Sequence, residues 1–166
     1  MSSSLRPVGR AQRARLEALT AACGLFRPEE VAVAVELLEE SVAGTDDYRF
    51  VGAYAGEELV GYACWGPTPG TEGTWDLYWI VVDPARQGQG IGTQLLTTVE
   101  QRLKAEGGRL IVVETSSRAD YAATLGFYER RGYARAATIP EYYAPGDDLV
   151  IYLKDLTHGV LASATS

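Results

Sequence analysis

The chain has 166 residues, a length typical of one domain with its own hydrophobic core. Hydrophobic residues make up 46% of it and charged residues 22%, which excludes a disordered or fibrous chain. The formal net charge of −7 argues against a nucleic-acid-binding surface, because clustered Lys and Arg are needed to bind a phosphate backbone. An acidic surface suits a cationic partner better.

The two cysteines, Cys23 and Cys64, lack the spacing of a metal site or a disulfide framework. The one histidine, His158, is expected to be a tail residue. No apolar run approaches the ~18 residues that span a bilayer, and the first residues lack the apolar segment of a signal peptide. We therefore expect a cytoplasmic protein with no bound metal, no membrane association and no nucleic-acid partner.

The N-terminal part of the chain is predicted to form two helices. Residues 1–9 are expected to be a flexible terminus, and a modest apolar period predicts a helix over 11–22 that Gly24 ends. Pro28 opens a second helix, with acidic residues in its first turn and an apolar stripe before Gly44.

Three strands are predicted next, because β-branched and aromatic residues replace the helical pattern. Residues 49–55 and 59–65 form a predicted hairpin. Residues 75–82 are the most strand-like run and complete an antiparallel meander. Alternation in this run predicts that Asp76 and Tyr78 share one face, while Trp79 lies on the other.

A glycine-rich loop, residues 87–92, separates this third strand from a predicted helix whose apolar residues line one face. The N–H groups in the first turn of a helix lie at the positive end of its dipole and bind anions. Glycines lack side chains that would keep a phosphate group away from the backbone. The loop therefore predicts a phosphate-type binding site.

The rest of the chain predicts a parallel crossover and two closing strands. The strand 109–114 has a continuously apolar centre and is predicted to run parallel to the strand 75–82. A helix over 121–131 follows, and two strands, 133–138 and 149–153, flank a loop over 140–148. We expect an α/β fold with a mixed sheet, in which residues 1–156 form a single domain and 157–166 form a tail.

Three phosphate-binding patterns compete for the glycine loop. A Walker-type loop needs a Lys after its last glycine, and none is present. A dinucleotide fingerprint needs G-x-G-x-x-G, whereas Gly88, Gly90 and Gly92 give G-x-G-x-G. Glu114 lies near the position of a ribose-binding acid, but an antiparallel meander before the loop leaves no room for two mononucleotide-binding halves.

The third pattern, Gln87-x-x-Gly90-x-Gly92 after a strand, resembles the motif [R/Q]-x-x-G-x-[G/A] of the GNAT superfamily of N-acetyltransferases. The resemblance includes Val-Asp-Pro before the loop, Gly-Ile-Gly-x-x-Leu-Leu within it and Gly-Phe-Tyr-x-x-x-Gly-Tyr later in the chain. It covers about Arg10–Lys154. It implies the GNAT acyl-CoA N-acyltransferase fold, a β-meander followed by a parallel β-α-β crossover with splayed central strands.

The resemblance implies that acetyl-CoA is the acyl donor. Backbone N–H groups of the loop would hold the pyrophosphate, and the end of the preceding strand would pair with the pantetheine amides. The residues so implied in donor binding are Ile80, Val81, Val82, Gln87, Gly88, Gln89, Gly90, Ile91, Gly92, Thr93 and Tyr128.

Acyl transfer to an amine needs a neutral amine, a stabilised oxyanion and a proton for the departing thiolate. The resemblance assigns proton donation to Tyr128, because family members place this helix tyrosine beside the sulfur. A phenol with an ordinary pKa near ~10 is protonated at neutral pH. Asp76 and Glu114 are candidate bases, with solvated strand-end charges and a water chain as the alternatives. A backbone N–H near Val82 could meet the oxyanion.

The acceptor site is expected to be bounded by aromatic side chains, which are Phe26, Trp65, Tyr78, Tyr142 and Tyr143. The last two lie in the loop 140–148 and are similar in position to tyrosines that flank the acceptor in protein N-terminal acetyltransferases. Asp147 and Asp148 in the same loop could attract an ammonium group or could hold a turn.

We expect an acetyl-CoA-dependent N-acetyltransferase that acts on a primary amine by direct attack, with a small-molecule amine as the acceptor. A protein N-terminal or lysine acetyltransferase is one alternative. A non-catalytic acyl-CoA-binding regulatory module is the other. Dimers are common in the superfamily, and the resemblance therefore also implies a homodimer.

Overall fold

The computed structural model describes residues 3–157, so the predicted tail, including His158, lies outside the described residues. The chain divides into two units. The first unit contains the chain up to Pro67 together with Tyr78–Arg102, and the second contains Thr68–Leu77 together with the chain after Arg102. Within residues 3–157, no helix has the length and apolar character needed to cross a membrane.

Four α-helices form within residues 3–157, and all four were predicted from the sequence. They are α1 (Arg13–Ala22), α2 (Pro28–Val42), α3 (Ile91–Ala105) and α4 (Ala122–Arg130). A short 3₁₀ turn, Arg10–Gln12, precedes α1. α2 begins as expected, because Pro28 has no N–H that the helix would leave unpaired, and Glu29 and Glu30 face the positive end of the dipole.

In the part of the chain that the structure describes, seven strands form a mixed sheet, which confirms the predicted fold class. They are β1 (Ser4–Arg6), β2 (Arg49–Ala55), β3 (Glu58–Pro67), β4 (Thr74–Val82), β5 (Leu110–Ser116), β6 (Ala134–Ala144) and β7 (Asp147–Asp155). Hydrogen bonds connect them in the order β1-β2-β3-β4-β5-β7-β6. β2 and β3 are antiparallel, and β4 and β5 are parallel with Thr74 opposite Leu110, as the crossover predicted.

The first unit contains α1 and α2 packed on β2 and β3. Leu16, Leu19 and Leu38 are at most 1% exposed and belong to one cluster with Tyr62 of β3. The Thr20 hydroxyl donates to the carbonyl of Leu16 at 2.7 Å and lies 2.7 Å from the Tyr62 hydroxyl, so the buried phenol has a hydrogen-bond partner. The helix pair is thereby fixed on the sheet.

The second unit contains β5, β7, β6 and α4. Its centre is an aromatic group around Tyr128 of α4, with ring centroids 5.3 Å from Tyr133 and 6.5 Å from Tyr152. Ile111 and Val113 on β5 are also buried. In contrast, every residue of β6 is exposed.

The prediction of a flexible N terminus over residues 1–9 was wrong for Ser4–Arg6. These residues form β1, which pairs antiparallel with β2 and places Leu5 opposite Ala53. The Arg6 guanidinium lies 4.2 Å from the centre of the Tyr54 ring, and the Tyr54 hydroxyl donates to the carbonyl of Pro7 at 2.8 Å. These tertiary contacts order a segment that has no strand pattern of its own.

The predicted loop over 140–148 was also wrong, because most of it continues the two closing strands. β6 runs on to Ala144, and the connection to β7 is the tight turn at Pro145 and Gly146. Ala144 pairs with Asp147, and the register shifts between Ile139 and Ala144. Proline and a bulge are tolerated in a strand at the edge of a sheet, where one side of the backbone needs no partner.

Candidate functional site

The glycine loop connects the end of β4 to the first turn of α3, as the sequence predicted. Gly88 and Gly90 have φ angles of +81° and +82°, a conformation that favours glycine. A Cβ atom at either position would meet no heavy atom within 4 Å, so both glycines face open space. The geometry fits a backbone cradle for an anion, with room above it for a ligand.

The donor-binding residues predicted from the family resemblance have different exposures. Gln87 and Gln89 are exposed, whereas Val81 and Ile91 are buried. Four further members of the set are half-buried, namely Ile80, Val82, Gly92 and Thr93. The N–H of Gln94 donates to the carbonyl of Gly90 at 3.0 Å, which closes the first turn of α3. The backbone of this first turn is thus positioned at the loop.

Gly61 of β3 permits a close approach between the strand and the start of α3. A Cβ atom at this position would lie 2.9 Å from the carbonyl oxygen of Val81 and 3.2 Å from the side chain of Ile91. Neither group could give way without a shift of the backbone or of a buried side chain. The glycine therefore sets the height of the loop above the sheet.

Tyr128 lies in α4 and is 5% exposed. Burial raises the pKa of its phenol well above the ordinary value of 10.0. Its ring makes an edge contact with Phe127 at 5.2 Å between centroids. The group is therefore held as a protonated phenol throughout the neutral and mildly alkaline range.

The phenol of Tyr143, in the second unit, has a raised pKa. Burial, followed by the charge of Glu114, raises the pKa of Tyr143 to about 12. Smaller contributions come from Tyr142, Tyr121 and Asp147. Glu114 is exposed on β5, between the buried Val113 and Thr115, so its carboxylate is available to solvent.

The β6–β7 hairpin presents its two tyrosines on a constrained backbone. Glu141, which precedes them, has a φ of +52°, and its N–H donates to a carboxylate oxygen of Asp148 at 2.9 Å. The N–H of Asp148 in turn donates to the Ser117 hydroxyl at 2.8 Å. A non-glycine residue in this conformation is strained, and these hydrogen bonds hold it there.

The tyrosines themselves, Tyr142 and Tyr143, are 57% and 41% exposed and make an edge contact at 5.0 Å between ring centroids. The carboxylate of Asp147 is buried and accepts a hydrogen bond from the Ser116 hydroxyl. Both carboxylates, Asp147 and Asp148, are therefore used within the hairpin and its β5 neighbour, although neither lies in the turn itself.

Asp76 is half-buried on β4, where it pairs with Val112 in the parallel ladder. The Thr68 hydroxyl donates to one of its carboxylate oxygens at 2.8 Å. This contact gives Asp76 a structural role at the start of β4.

An aromatic group in the first unit joins the α1–α2 linker to β4. Phe26 makes an edge contact with Trp79 at 6.3 Å, and Tyr48 lies 5.7 Å from Tyr78. Tyr78 and Trp79 are 6.0 Å apart and both pack against the same hydrophobic cluster. Simple alternation, which predicts opposite faces for adjacent residues, therefore does not describe these two positions.

Trp65 of β3 is 2% exposed, and the guanidinium of Arg102 lies 5.9 Å from the centre of its ring. The indole is therefore covered by protein and is not presented to solvent. The prediction that Trp65 lines the acceptor site gains no support from this placement.

Both cysteines are withdrawn from solvent. Cys64 is buried and Cys23 is half-buried, and burial raises the pKa of each thiol. Within residues 3–157, no group of three or more acidic, histidine or cysteine side chains is placed to hold a metal ion.

Sequence reasoning missed the contacts that anchor the base of the loop. The carboxylate of Asp83 accepts one hydrogen bond from the N–H of Ala85 at 3.0 Å and another from Arg15 of α1 at 2.9 Å. The Val-Asp-Pro motif contains Asp83, but nothing in the sequence pairs it with an arginine 68 positions earlier.

The fold and the loop together define a class of protein, in which a mixed α/β sheet carries a glycine loop at the start of the helix that follows β4. A family model described as the Acetyltransferase (GNAT) family matches residues 15–133, more than half of the chain. The chain therefore belongs to the GNAT family of acetyltransferases, as the loop motif indicated.

A GNAT-family protein from Desulfovibrio desulfuricans superimposes with a TM-score of 0.89 at 40% identity, covering 94% of this chain and 100% of that one. The chain is 40% identical over 98 residues to the N-alpha-acetyltransferase RimI of Mycobacterium tuberculosis, covering 57% and 58% of the two proteins. It is 32% identical over 72 residues to the S-(2-succino)cysteine N-acetyltransferase of Bacillus subtilis, covering 43% and 44%. It spans about half the length of these curated relatives.

Proposed function

We propose that this protein is an N-acetyltransferase that moves an acetyl group from acetyl-CoA to a primary amine by direct attack. The observation that carries the proposal is the loop Gln87–Gly92, which opens α3 with two glycines at positive φ facing open space. Its backbone would hold the pyrophosphate of the donor, and the end of β4, Ile80–Val82, would pair with the pantetheine amides. Membership of the GNAT family supports the same donor.

Direct attack is favoured over a covalent acyl-enzyme because neither cysteine is suited to act as a nucleophile. The thiolate is the reactive form, and burial raises the pKa of both Cys23 and Cys64. In our proposal the amine nitrogen attacks the thioester carbonyl, the C–S bond breaks and the amine loses a proton.

Tyr128 is proposed to protonate the departing thiolate. Burial keeps its phenol protonated, and the same apolar surroundings raise the pKa of a thiol that forms beside it, which eases the transfer. A backbone N–H near Val82 is proposed to stabilise the oxyanion. The amine proton leaves through Glu114, which is exposed on β5, or through water; Asp76 is the weaker candidate because Thr68 already binds its carboxylate.

The acceptor proposed first is a small-molecule amine, bound by the exposed tyrosines of the β6–β7 hairpin, Tyr142 and Tyr143. An acceptor that carries a positive charge would suit Glu114 and the faces of exposed tyrosines. The resemblance to an S-(2-succino)cysteine N-acetyltransferase supports this class.

A protein N terminus is the second candidate acceptor. Its support is the 40% identity to an N-alpha-acetyltransferase and the exposure of Tyr142 and Tyr143 on the β6–β7 hairpin. Two classes of amine therefore need to be compared directly.

Release of free CoA thiol from acetyl-CoA, measured over a panel of small amines and peptides, tests the proposal. Turnover on small amines supports the first candidate, and turnover only on peptides with free N termini supports the second. Peptides with a blocked N terminus and an internal lysine form the control. Binding of acetyl-CoA without turnover on any amine would point to a regulatory module, and absence of binding would refute the whole proposal.

The pH dependence of the reaction follows from the raised pKa of Tyr128. A proton donor is active below its pKa and inactive above it, and burial moves that pKa upward from 10.0. We expect kcat to rise with pH as the amine loses its proton, and then to stay level up to about pH 10. A falling limb between pH 7 and 9 that disappears in Tyr128→Phe would contradict this expectation.

Removal of the Tyr143 side chain is expected to weaken acceptor binding. Tyr143→Ala should raise KM for the amine about 5- to 30-fold, the effect of losing one aromatic contact to a cation, with Kd for acetyl-CoA unchanged. Ile139→Ala is the matched control, because Ile139 lies on the same strand and is 43% exposed against 41% for Tyr143. Steady-state kinetics with the amine varied give the answer, and an equal change in both variants would contradict the assignment.

A further inference from the structure

We propose that Arg15 positions the glycine loop for its anionic ligand by holding Asp83, and so sets the affinity for the acyl donor. The inference rests on the proposed function, since it takes the loop as the pyrophosphate site. It assigns a positioning residue on α1, a helix that contributes no part of the loop.

Asp83 is the first residue after β4. Its backbone groups and one of its carboxylate oxygens make the hydrogen bonds that fix the local geometry. Its N–H donates to the carbonyl of Val60 at 2.8 Å, and its own carbonyl accepts from the N–H of Arg86 at 2.8 Å. One carboxylate oxygen, Oδ1, accepts from the N–H of Ala85 at 3.0 Å. The 3₁₀ turn Pro84–Arg86, which leads directly to Gln87, is therefore set by Asp83.

The other carboxylate oxygen, Oδ2, belongs to a network centred on Arg15. The Nη2 of Arg15 lies 2.9 Å from it and 3.0 Å from Glu58 Oε1. The Nε of Arg15 donates to the carbonyl of Leu59 at 3.0 Å. The guanidinium thus connects α1, the start of β3 and the base of the loop.

The helix backbone that carries Arg15 is held in place by the core. The next residue, Leu16, is fully buried in the core of the first unit, so the backbone of α1 cannot shift freely. The Asp83 side chain is 19% exposed and the Arg15 side chain 36%, so solvent screens their interaction only in part. A fixed cation therefore holds the carboxylate on which the turn depends.

The guanidinium also offsets a charge that would oppose the ligand. Asp83 places a partly buried carboxylate at the base of a loop proposed to bind phosphate groups, and like charges repel. Arg15 compensates that charge as well as orienting it. Loss of Arg15 would therefore release the turn Pro84–Arg86. It would also leave the Asp83 carboxylate uncompensated, so that this carboxylate repels a bound phosphate group.

Two substitutions of Arg15 test the inference against a matched control. Arg15→Ala removes the network. Arg15→Lys keeps the charge, but an ammonium lacks the planar fork that bonds Leu59 and Asp83 together. Arg13→Ala is the control, because Arg13 also lies on α1 and its Nε–Glu39 contact, 2.8 Å long, ties α1 to α2 away from the loop.

Arg15→Ala is expected to raise Kd and KM for acetyl-CoA about 10-fold with kcat within a factor of two, and Arg15→Lys to show a smaller rise. KM for S-acetylpantetheine, a thioester without the pyrophosphate, should not change. Arg13→Ala should change neither constant, and thermal melts of all variants report any general loss of stability.

An unchanged Kd for acetyl-CoA in Arg15→Ala would overturn the inference. So would an equal rise in KM for acetyl-CoA and S-acetylpantetheine, which would indicate a general structural role. Failure of the unsubstituted protein to bind acetyl-CoA in the same calorimetric titration would instead refute the proposed function, so the two failures are distinguishable.

Discussion

Replacing Tyr128 by Phe is expected to lower kcat for acetyl transfer by about 100-fold or more, the usual contribution of one positioned proton donor. The substitution removes only the hydroxyl from a ring that packs in an aromatic group with Phe127, Tyr133 and Tyr152. Kd for acetyl-CoA should therefore stay the same. Steady-state kinetics and calorimetric titration measure the two constants separately.

Tyr133→Phe is the control for this experiment. Tyr133 is 3% exposed and its ring lies 5.3 Å from that of Tyr128, so each substitution removes one hydroxyl from the same aromatic group. We expect Tyr133→Phe to retain the kcat of the unsubstituted protein. A kcat unchanged in Tyr128→Phe, or lowered equally in both variants, would remove the proton-donor assignment.

Replacing Gly90 by Ala is expected to raise Kd for acetyl-CoA about 10- to 100-fold. The added methyl group meets no protein atom within 4 Å, so it projects into the space proposed for the pyrophosphate. It would displace the phosphate from one or two backbone N–H groups, and hydrogen bonds to charged groups contribute about 1.5–3 kcal/mol each. Calorimetric titration with acetyl-CoA measures the change.

The substitution also strains the backbone, and Gly107→Ala separates that strain from the loss of binding. Gly107 follows the C-terminal end of the same helix, has a φ of +80° against +82° for Gly90 and likewise has open space around a Cβ atom. Each variant should lose about 1–2 kcal/mol of stability, which lowers the melting temperature by a few degrees. Only Gly90→Ala should lose donor affinity, and an equal loss in Gly107→Ala would show that the effect is general.

The elements that depend on local patterns could be predicted from the sequence. Pro28 and the two acidic residues after it predicted the start of α2, and the continuously apolar centre of β5 predicted its parallel pairing with β4. In each case a few neighbouring residues decide the outcome. The glycine loop could be placed for the same reason.

The features that depend on distant contacts could not be predicted. β1 has no strand pattern and is ordered by the Tyr54 ring and by pairing with β2. The extension of β6 beyond Pro140 depends on the hydrogen bond between Glu141 and Asp148 across the hairpin. Neither segment has a clear strand pattern, so local reasoning assigned the first to a flexible terminus and the second to a loop.

The candidate site also contains features that could be predicted from the sequence and features that depend on distant contacts. The local sequence placed the glycine loop, and the family resemblance singled out Tyr128, whereas the Arg15–Asp83 pair depends on how α1 lies against the first unit's sheet. For Trp65, the strand pattern does not reveal that the ring is buried or that the Arg102 guanidinium lies 5.9 Å from its centre. Side-chain surroundings, unlike periodicity, are set by tertiary packing.

The exposed strand β6 has a consequence for self-association. An edge strand offers unpaired backbone groups to any other extended chain, which favours growth of the sheet from one molecule to the next. Pro140 removes one N–H donor from this edge, and the bulge at Glu141 bends the strand beyond it. A second register shift, between Arg135 and Ala137, interrupts the strand before Pro140 as well, so this edge offers only short stretches to a foreign strand.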